Sequence, residues 1–218
     1  MSFKPPRQEV IWINPVIARM AGSDYPALIE TLQGRGYTVD SCPEALPEVR
    51  NAYLSLLRQP SARPLIDARC PRIVSLVRKE FPRLSAQIAQ IPPILIRCAD
   101  LLYQRHVAPE PKKANLTIIT PCSDLADYGK ALFGKRIRFR TWKAFEREEG
   151  LGLRYPRTDE SPIPLGFFDS TGVRVLGGSG SQTVIDLLAL ADEGRLDPDV
   201  EILELLYCQD GCHNGNGV

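Results

Sequence analysis

Short apolar runs alternate along this chain with longer stretches in which the apolar residues recur at helical spacing. The short runs predict buried β-strands, and they lie at residues 9–17, 37–42, 64–70, 116–122 and 201–208, with a further extended piece at 137–142. The longer stretches predict amphipathic helices at 24–36, 45–59, 71–81, 143–150 and 179–194, with another after Pro92–Pro93. This alternation predicts an α/β fold with mostly parallel sheets that are flanked by helices.

Composition and charge are those of an ordinary globular protein. Of the 218 residues, 44% are hydrophobic and 24% are charged, and the formal net charge is +1. A balance so close to neutral gives no electrostatic reason to expect nucleic acid or a membrane surface as a partner. No apolar run approaches the roughly 18–20 residues of a membrane span, and the first residues lack the layout of a signal peptide. We therefore expect a cytoplasmic protein with no nucleic-acid or membrane partner.

Cysteines follow several of the predicted strands. The runs PLIDARC, LTIITPC and EILELLYC end in Cys70, Cys122 and Cys208, and Cys212 comes shortly after the last of them. In open α/β sheets, ligands bind beyond the carboxyl ends of the strands, so we expect these side chains to converge. The chain has only two histidines, which argues against a histidine-rich zinc site or a diiron-carboxylate site.

Four thiolates in this arrangement suit a soft metal site. A [4Fe–4S] cluster needs four cysteine ligands, and the glycines of GCHNGNG would let backbone N–H groups approach the sulfurs. Structural zinc also accepts four cysteines, but its usual signature is two close pairs, whereas only Cys208 and Cys212 are close in this sequence. Buried thiols that bind nothing are the third alternative, because free cysteine is commonly buried. The spacing by itself leaves these interpretations open.

Three cysteine-containing motifs give the chain a resemblance to a known family. ARCPRIV, ITPCSDLADYG and LELLYCQDGCHNGNG are similar to the cluster-binding motifs in the catalytic, H-cluster-bearing domain of [FeFe] hydrogenase large subunits. The resemblance implies one two-lobed α/β domain over residues 1–218, with lobes of roughly 1–115 and 116–218. It also implies a [4Fe–4S] cluster between the lobes, at the carboxyl ends of strands. The cluster ligands that it implies are Cys70, Cys122, Cys208 and Cys212.

The chain departs from this family at positions that serve the diiron part of the H-cluster. Arg69 stands where hydrogenases have a proton-delivering cysteine, and Leu125 followed by Ala126 stands where the family has the lysines of its Pro-Cys-x-x-Lys-Lys motif. The Gly-Gly of the closing motif is Asp210–Gly211. A leucine cannot donate a hydrogen bond, and an arginine that stays charged cannot shuttle protons at neutral pH. The resemblance therefore implies a degenerate, shortened homologue without H₂ turnover.

Three residues beside the expected ligands are candidates for contacts with the cluster. Arg69 is a candidate donor to a cluster sulfide, with an ordinary surface arginine as the alternative. Gly211 offers a close backbone approach, and His213 is a candidate to tune the cluster or relay a proton, with a solvated loop histidine as the alternative. We assign Cys42 to the core at a strand end, with a fifth ligand or a redox thiol as the alternatives. We assign Cys98 to the core as well, on a helix.

The function that the sequence predicts is therefore that of an iron–sulfur subunit. It binds a [4Fe–4S] cluster and either passes single electrons within a larger oxidoreductase complex or senses redox state. Its expected partner is a redox protein, either a ferredoxin or another iron–sulfur or flavin subunit. Two alternatives stay open: a divergent [FeFe] hydrogenase that keeps a diiron site, and a structural or iron–sulfur assembly protein that binds zinc or no metal.

Overall fold

The chain forms two compact units, each built from segments that are distant in sequence. The structure, a computed structural model, describes residues 7–59, 63–153, 158, 161 and 165–218. The first unit takes its described residues from Met1–Pro43, Leu95–Thr158 and Asn216–Val218, and the second from Glu44–Ile94 and Asp159–Gly215. The predicted α/β class with parallel sheets and flanking helices is confirmed in both units.

Strands and helices alternate, as the pattern predicts, but two of the helices and one of the strands are not in the prediction: Pro15–Ala21, Ser123–Phe133 and Val175–Ser179. The strands are β1 Gln8–Ile13, β2 Tyr37–Asp40, β3 Leu65–Ile66, β4 Ala114–Thr120, β5 Arg138–Thr141, β6 Val175–Ser179 and β7 Ile202–Leu206. The α-helices are α1 Pro15–Ala21, α2 Tyr25–Gly34, α3 Ala45–Leu57, α4 Pro71–Glu80, α5 Ile94–His106, α6 Ser123–Phe133, α7 Trp142–Glu149 and α8 Ser181–Asp192. Across the described residues, no helix has the length and apolar character needed to cross a membrane.

The first unit contains a parallel sheet in the strand order β2-β1-β4-β5. Its two central strands are apolar on both faces, as in other parallel sheets that helices cover on both sides. Val10 and Ile11 of β1 and Ile118 and Ile119 of β4 are fully buried. Helices α1, α2 and α7 contribute further side chains to the core cluster around Ile11 and Ile119. The central strand β4 ends just before Cys122, so this core fixes the point at which that cysteine enters α6.

The second unit contains a smaller parallel sheet in the order β3-β7-β6. Every residue of the central strand β7 is buried, including the charged residue Glu204. Helices α3, α4 and α8 pack their apolar residues into the same core. Because β3 and β7 are parallel neighbours, their carboxyl ends lie at the same edge of the sheet. Cys70 and Cys208 follow these two ends.

Two features of the second unit differ from the sequence prediction. The strand predicted at 64–70 is only two residues long, because the backbone leaves the sheet after the Asp67 N–H donates to Leu203 O at 2.9 Å. The glycine-rich run before α8 forms strand β6, which the pattern does not predict. A Cβ on Gly178 would lie 2.6 Å from the Leu187 side chain of α8, so glycine at this position permits close packing of the helix on the strand.

Each unit contains residues from both sides of residue 115, where the sequence predicts the division between lobes. β1 pairs with β4 in the first unit, and β3 pairs with β7 in the second. Strands that are far apart in sequence therefore share a sheet, and the chain passes from one unit to the other several times. A hydrophobic pattern predicts where strands occur, but strand pairing depends on contacts that are remote in sequence.

We expect Gly129→Ala to lower the free energy of unfolding of the chain by about 1–3 kcal/mol, through overpacking. Gly129 lies in α6, where an added Cβ would overlap the ring of Phe139. That ring is buried and stacked on Phe133, so it has little room to move. Gly34→Ala is the matched control, because nothing lies within 4 Å of a Cβ added at that end of α2. Equal urea denaturation curves for the two variants would contradict the close packing of Gly129 against the Phe139 ring.

Candidate metal centre

Cys70 is the N-cap residue of α4. Pro71 takes the first helical position, where its missing N–H costs nothing. Burial raises the pKa of the Cys70 thiol, and the nearby backbone N–H groups of Tyr207, Ile73 and Arg72 oppose that rise. The Ile73 N–H itself donates to Cys70 O at 3.1 Å. The start of a helix, whose first amides lack intrahelical partners, thus brings N–H groups near this sulfur.

Cys208 and Cys212 flank a tight turn after β7. The turn places two residues at positive φ, Asp210 at 58° and Gly211 at 118°. Ser179 Oγ accepts the Asp210 N–H at 3.1 Å, and Cys208 O accepts the Gly211 N–H at 3.2 Å. Glycine adopts such a φ without steric cost, so Gly211 allows the chain to reverse directly before Cys212.

Cys212 begins a short 3₁₀ turn, Cys212–Asn214, that buries His213. The His213 side chain is 3% exposed, so the alternative of a solvated loop histidine is wrong. Its Nε2 lies 3.1 Å from the side-chain amide nitrogen of Asn214. Its Nδ1 is buried and has no hydrogen-bond partner among the residues that the structure describes. One imidazole nitrogen therefore remains available beside the candidate ligand Cys212.

Cys122 is the N-cap residue of α6, in the first unit. The C-terminal residues hold the backbone on either side of it. Asn216 Oδ1 accepts the Ser123 N–H at 2.9 Å, and the Gly217 N–H donates to Pro121 O at 3.0 Å. A Cβ on Gly217 would lie 3.0 Å from Cys122 Cα. Glycine at this position therefore allows the C-terminal segment to pass directly against the cysteine backbone.

Arg69 is 7% exposed, so the alternative of an ordinary surface arginine is wrong. Its Nε donates to Asp67 Oδ2 at 2.8 Å, and its Nη2 donates to Glu204 Oε1 at 2.6 Å. The guanidinium carbon also lies 4.0 Å from the ring centroid of Phe167. Burial acts to lower the pKa of the Arg69 guanidinium, but the two carboxylates outweigh it and raise that pKa. Its Nη1 is buried and has no hydrogen-bond partner in the described part of the chain.

Sequence reasoning missed the other members of this buried polar network, which are Tyr53, Asp67 and Glu204. Asp67 and Glu204 each lie inside a mostly apolar run, PLIDARC and EILELLYC. A charged residue within a predicted buried strand is a usable signal, because a buried charge needs a partner. Tyr53 gives no such signal, since a tyrosine on the apolar face of a predicted helix is ordinary.

The remaining cysteines and the hydrogenase lysine positions lie in apolar surroundings of the first unit. Cys42 and Cys98 are 8% and 2% exposed, which confirms their assignment to the core. Cys98 Sγ lies 3.8 Å from the carbonyl oxygen of Cys42. Leu125 and Ala126 are buried on α6. Apolar packing therefore occupies the positions at which the hydrogenase motif has lysines.

Three of the expected ligands, Cys70, Cys208 and Cys212, belong to the second unit, and Cys122 belongs to the first. Among the described residues, no three His, Cys, Asp or Glu side chains lie together as a ready-made metal site. The donor set itself fits an iron–sulfur group, because it consists of soft thiols with N–H donors at Cys70 and buried polar atoms without partners nearby in sequence.

Fold and cysteine placement together define a class: a parallel α/β protein with cysteines after the carboxyl ends of its strands. More particularly, the fold is that of [FeFe]-hydrogenases. One similar structure is that of an [FeFe]-hydrogenase whose inactivation by oxygen begins with modification and degradation of the 2Fe subcluster of its H cluster. It has a TM-score of 0.64 and 13% identity over 97% of this chain and 80% of that one. A variant of the [FeFe]-hydrogenase HydA1 from Chlamydomonas reinhardtii has a TM-score of 0.63 and 14% identity, with the same coverage.

A third similar structure is that of the [FeFe]-hydrogenase HydA(deltaEFG), which revealed stepwise H-cluster assembly. It has a TM-score of 0.60 and 15% identity over 97% of this chain and 79% of that one. No protein-family model matches the chain, and no curated protein matches it in sequence. At such low identity the likeness establishes the hydrogenase-like fold and nothing finer.

Proposed function

We propose that this chain is an iron-hydrogenase-like [4Fe–4S] protein whose cluster ligands are Cys70, Cys122, Cys208 and Cys212. The observation that carries the proposal is the environment of the Cys70 thiol. Backbone N–H groups of Tyr207, the residue directly before Cys208, and of the start of α4 lie near this thiol and oppose the rise of its pKa. The backbone beside one proposed ligand therefore approaches the thiol of another, which supports a shared site. Hydrogen bonds of this kind orient metal ligands and tune iron–sulfur potentials.

Three residues are proposed as contacts around the cluster, which supplies one-electron transfer when it is bound. Arg69 Nη1 and His213 Nδ1 are buried atoms without partners in the described part of the chain, and each belongs to the residue next to a proposed ligand. Gly211 keeps the turn before Cys212 free of a side chain. A hydrogen-bond donor beside a cluster sulfur stabilises the reduced, more negative state, so Arg69 would raise the reduction potential.

We propose that the chain does not turn over H₂. The support is chemical: Leu125 is a buried apolar residue where a hydrogenase lysine would donate a hydrogen bond. The buried carboxylates raise the pKa of Arg69, so it remains charged and cannot deliver protons as a thiol would. A divergent hydrogenase with a substituted diiron site is therefore the less favoured function.

A lone cluster implies a partner that exchanges electrons with it. We propose a ferredoxin or another iron–sulfur or flavin subunit, which would make this chain an electron-transfer or redox-sensing component of a larger complex. We place it in the cytoplasm, because a reducing compartment keeps cysteine thiols available as cluster ligands.

Spectroscopy of protein purified without oxygen tests the proposal. After reduction with dithionite we expect the electron paramagnetic resonance signal of one reduced [4Fe–4S] cluster per chain. We expect no carbon monoxide or cyanide stretching bands in the infrared spectrum. Such bands would establish the alternative of a divergent hydrogenase. A sample that contains zinc and gives no electron paramagnetic resonance signal would establish the alternative of a structural protein.

A further inference from the structure

We propose that Tyr53 and Asp67 are positioning residues for the ligand Cys70. They fix the bend that carries the backbone from the end of β3 to the start of α4. The claim that this bend serves a bound cluster rests on the proposed function. The bend itself and its hydrogen bonds do not depend on that function.

Successive amides after β3 each have a partner of a different kind. The Asp67 N–H donates to Leu203 O at 2.9 Å, as a continuing strand would. The Ala68 N–H donates to Tyr53 Oη at 2.9 Å. The Arg69 N–H donates to Asp67 Oδ1 at 3.0 Å. Two side chains therefore replace the sheet ladder, and the chain turns away from β7 without leaving these buried amides unpaired.

Tyr53 serves both sides of this bend with a single oxygen. It comes from α3, is fully buried, and donates its hydroxyl proton to Asp67 Oδ1 at 2.8 Å. Its ring packs edge-on against Phe168, with the centroids 5.2 Å apart. Burial and the charge of Asp67 raise the pKa of the Tyr53 hydroxyl, so it remains a donor at neutral pH.

Asp67 also joins the bend to the central strand of the second unit. Its Oδ2 accepts from Arg69 Nε at 2.8 Å, and Arg69 Nη2 donates to Glu204 at 2.6 Å. Glu204 in turn accepts the N–H groups of Gly166 and Phe167 at 3.1 and 3.0 Å. A chain of hydrogen bonds thus runs from α3 through the bend to β7, so the bend is held from both sides.

This arrangement positions the Cys70 thiol before any metal binds. The residue that follows the bend is Cys70, the N-cap of α4, and backbone N–H groups of Tyr207 and of α4 lie near its thiol. Those contacts depend on where the bend places the first residue of α4. A binding site is most effective when neighbouring residues hold its ligands in place beforehand. Loss of the Tyr53 hydroxyl should therefore loosen Cys70 specifically.

Alkylation of individual cysteines in the metal-free full chain, followed by mass spectrometry, tests the positioning role. Tyr53→Phe removes the hydroxyl and leaves the Ala68 amide and an Asp67 oxygen without that partner. We expect Cys70 to react about tenfold faster than in the wild type, because local opening becomes easier. Cys122 should keep its wild-type rate. Equal acceleration of both cysteines would indicate general destabilisation and would overturn the proposal, as would unchanged reactivity of Cys70.

Tyr37→Phe is the matched control. Its hydroxyl also donates to a carboxylate, Glu149 Oε1, at 2.7 Å, but in the first unit. We expect Cys70 in this variant to react at the wild-type rate. Acceleration as large as that in Tyr53→Phe would show that loss of any hydrogen bond from tyrosine to a carboxylate has this effect, and would overturn the proposal.

If Tyr53→Phe does not fold, a pair of Asp67 variants tests whether the hydrogen bonds of the bend position Cys70. Asp67→Asn loses the ion pair with Arg69 but keeps an acceptor oxygen for the Arg69 N–H and for the hydroxyl, so Cys70 should react more slowly than in Asp67→Ala. Asp67→Ala removes both acceptors and should accelerate the reaction about tenfold. Equal rates in the two variants would overturn the role of these hydrogen bonds.

Iron release from the loaded protein to a chelator links the bend to the cluster. We expect release to be about tenfold faster in Tyr53→Phe than in wild type or Tyr37→Phe. Unchanged release in a variant whose Cys70 alkylates faster would overturn the claim that the bend serves the cluster. A wild-type chain that binds no iron would contradict the proposed function, and alkylation alone would then decide whether the bend positions Cys70.

Discussion

Cys122→Ser is expected to remove the cluster, so that bound iron falls from about four atoms per chain to less than about one. A serine hydroxyl stays protonated at neutral pH and is a hard oxygen ligand, which iron–sulfur clusters do not favour over thiolate. Cys122 is the one proposed ligand in the first unit. A loss of iron would therefore support its assignment as a ligand. Iron and acid-labile sulfide, measured on protein purified without oxygen, give the result.

Cys98→Ala is the control for this prediction. Cys98 is also a thiol of the first unit, and it is buried in α5. We expect this variant to lose some stability through its small cavity and to keep its iron. Full iron content in Cys122→Ser would refute the ligand assignment, and equal loss in both variants would attribute the effect to misfolding.

Arg69→Ala is expected to lower the free energy of unfolding by about 3–5 kcal/mol, the usual cost of breaking a buried ion pair from one side. Asp67 and Glu204 are 0% and 1% exposed, and the substitution leaves both carboxylates without their guanidinium. It also removes packing, because Arg69 lies against the ring of Phe167. Urea denaturation of the metal-free chain measures the effect without contribution from a bound cluster.

Arg174→Ala is the matched control in the same unit. Arg174 pairs with Asp199 at 2.7 Å, but both side chains are more than half exposed. An exposed ion pair contributes about 0–1 kcal/mol, so the denaturation midpoint should scarcely move. Similar midpoints for the Arg69 and Arg174 variants would mean that the buried network contributes little to stability.

The α/β class is predictable from the sequence because parallel central strands are buried on both faces. The runs that become β1, β4 and β7 are nearly continuous in apolar residues, and helical spacing separates them. Pairing is not predictable in this way, since β3 joins β7 across most of the chain. β6 is missed because its glycines favour a loop locally, whereas the contact between Gly178 and Leu187 favours a packed strand.

The candidate site is predictable to the extent that it depends on cysteine placement. Strand-end cysteines at 70, 122 and 208 follow from the pattern alone, and the structure places two of them at the N-caps of α4 and α6. The supporting network is not predictable, because nothing local to Tyr53 indicates that its hydroxyl meets the amide of Ala68. Long-range hydrogen bonds of this kind appear only when the fold is known.

Elemental analysis of iron, zinc and sulfide per chain, on protein purified without oxygen, decides whether the cysteines bind a [4Fe–4S] cluster. We predict about four irons and a matching amount of sulfide, with no zinc. About six irons would instead indicate an added diiron unit and an active hydrogenase centre. About one zinc without iron would mean that the cysteines serve structure, and it would contradict the electron-transfer function.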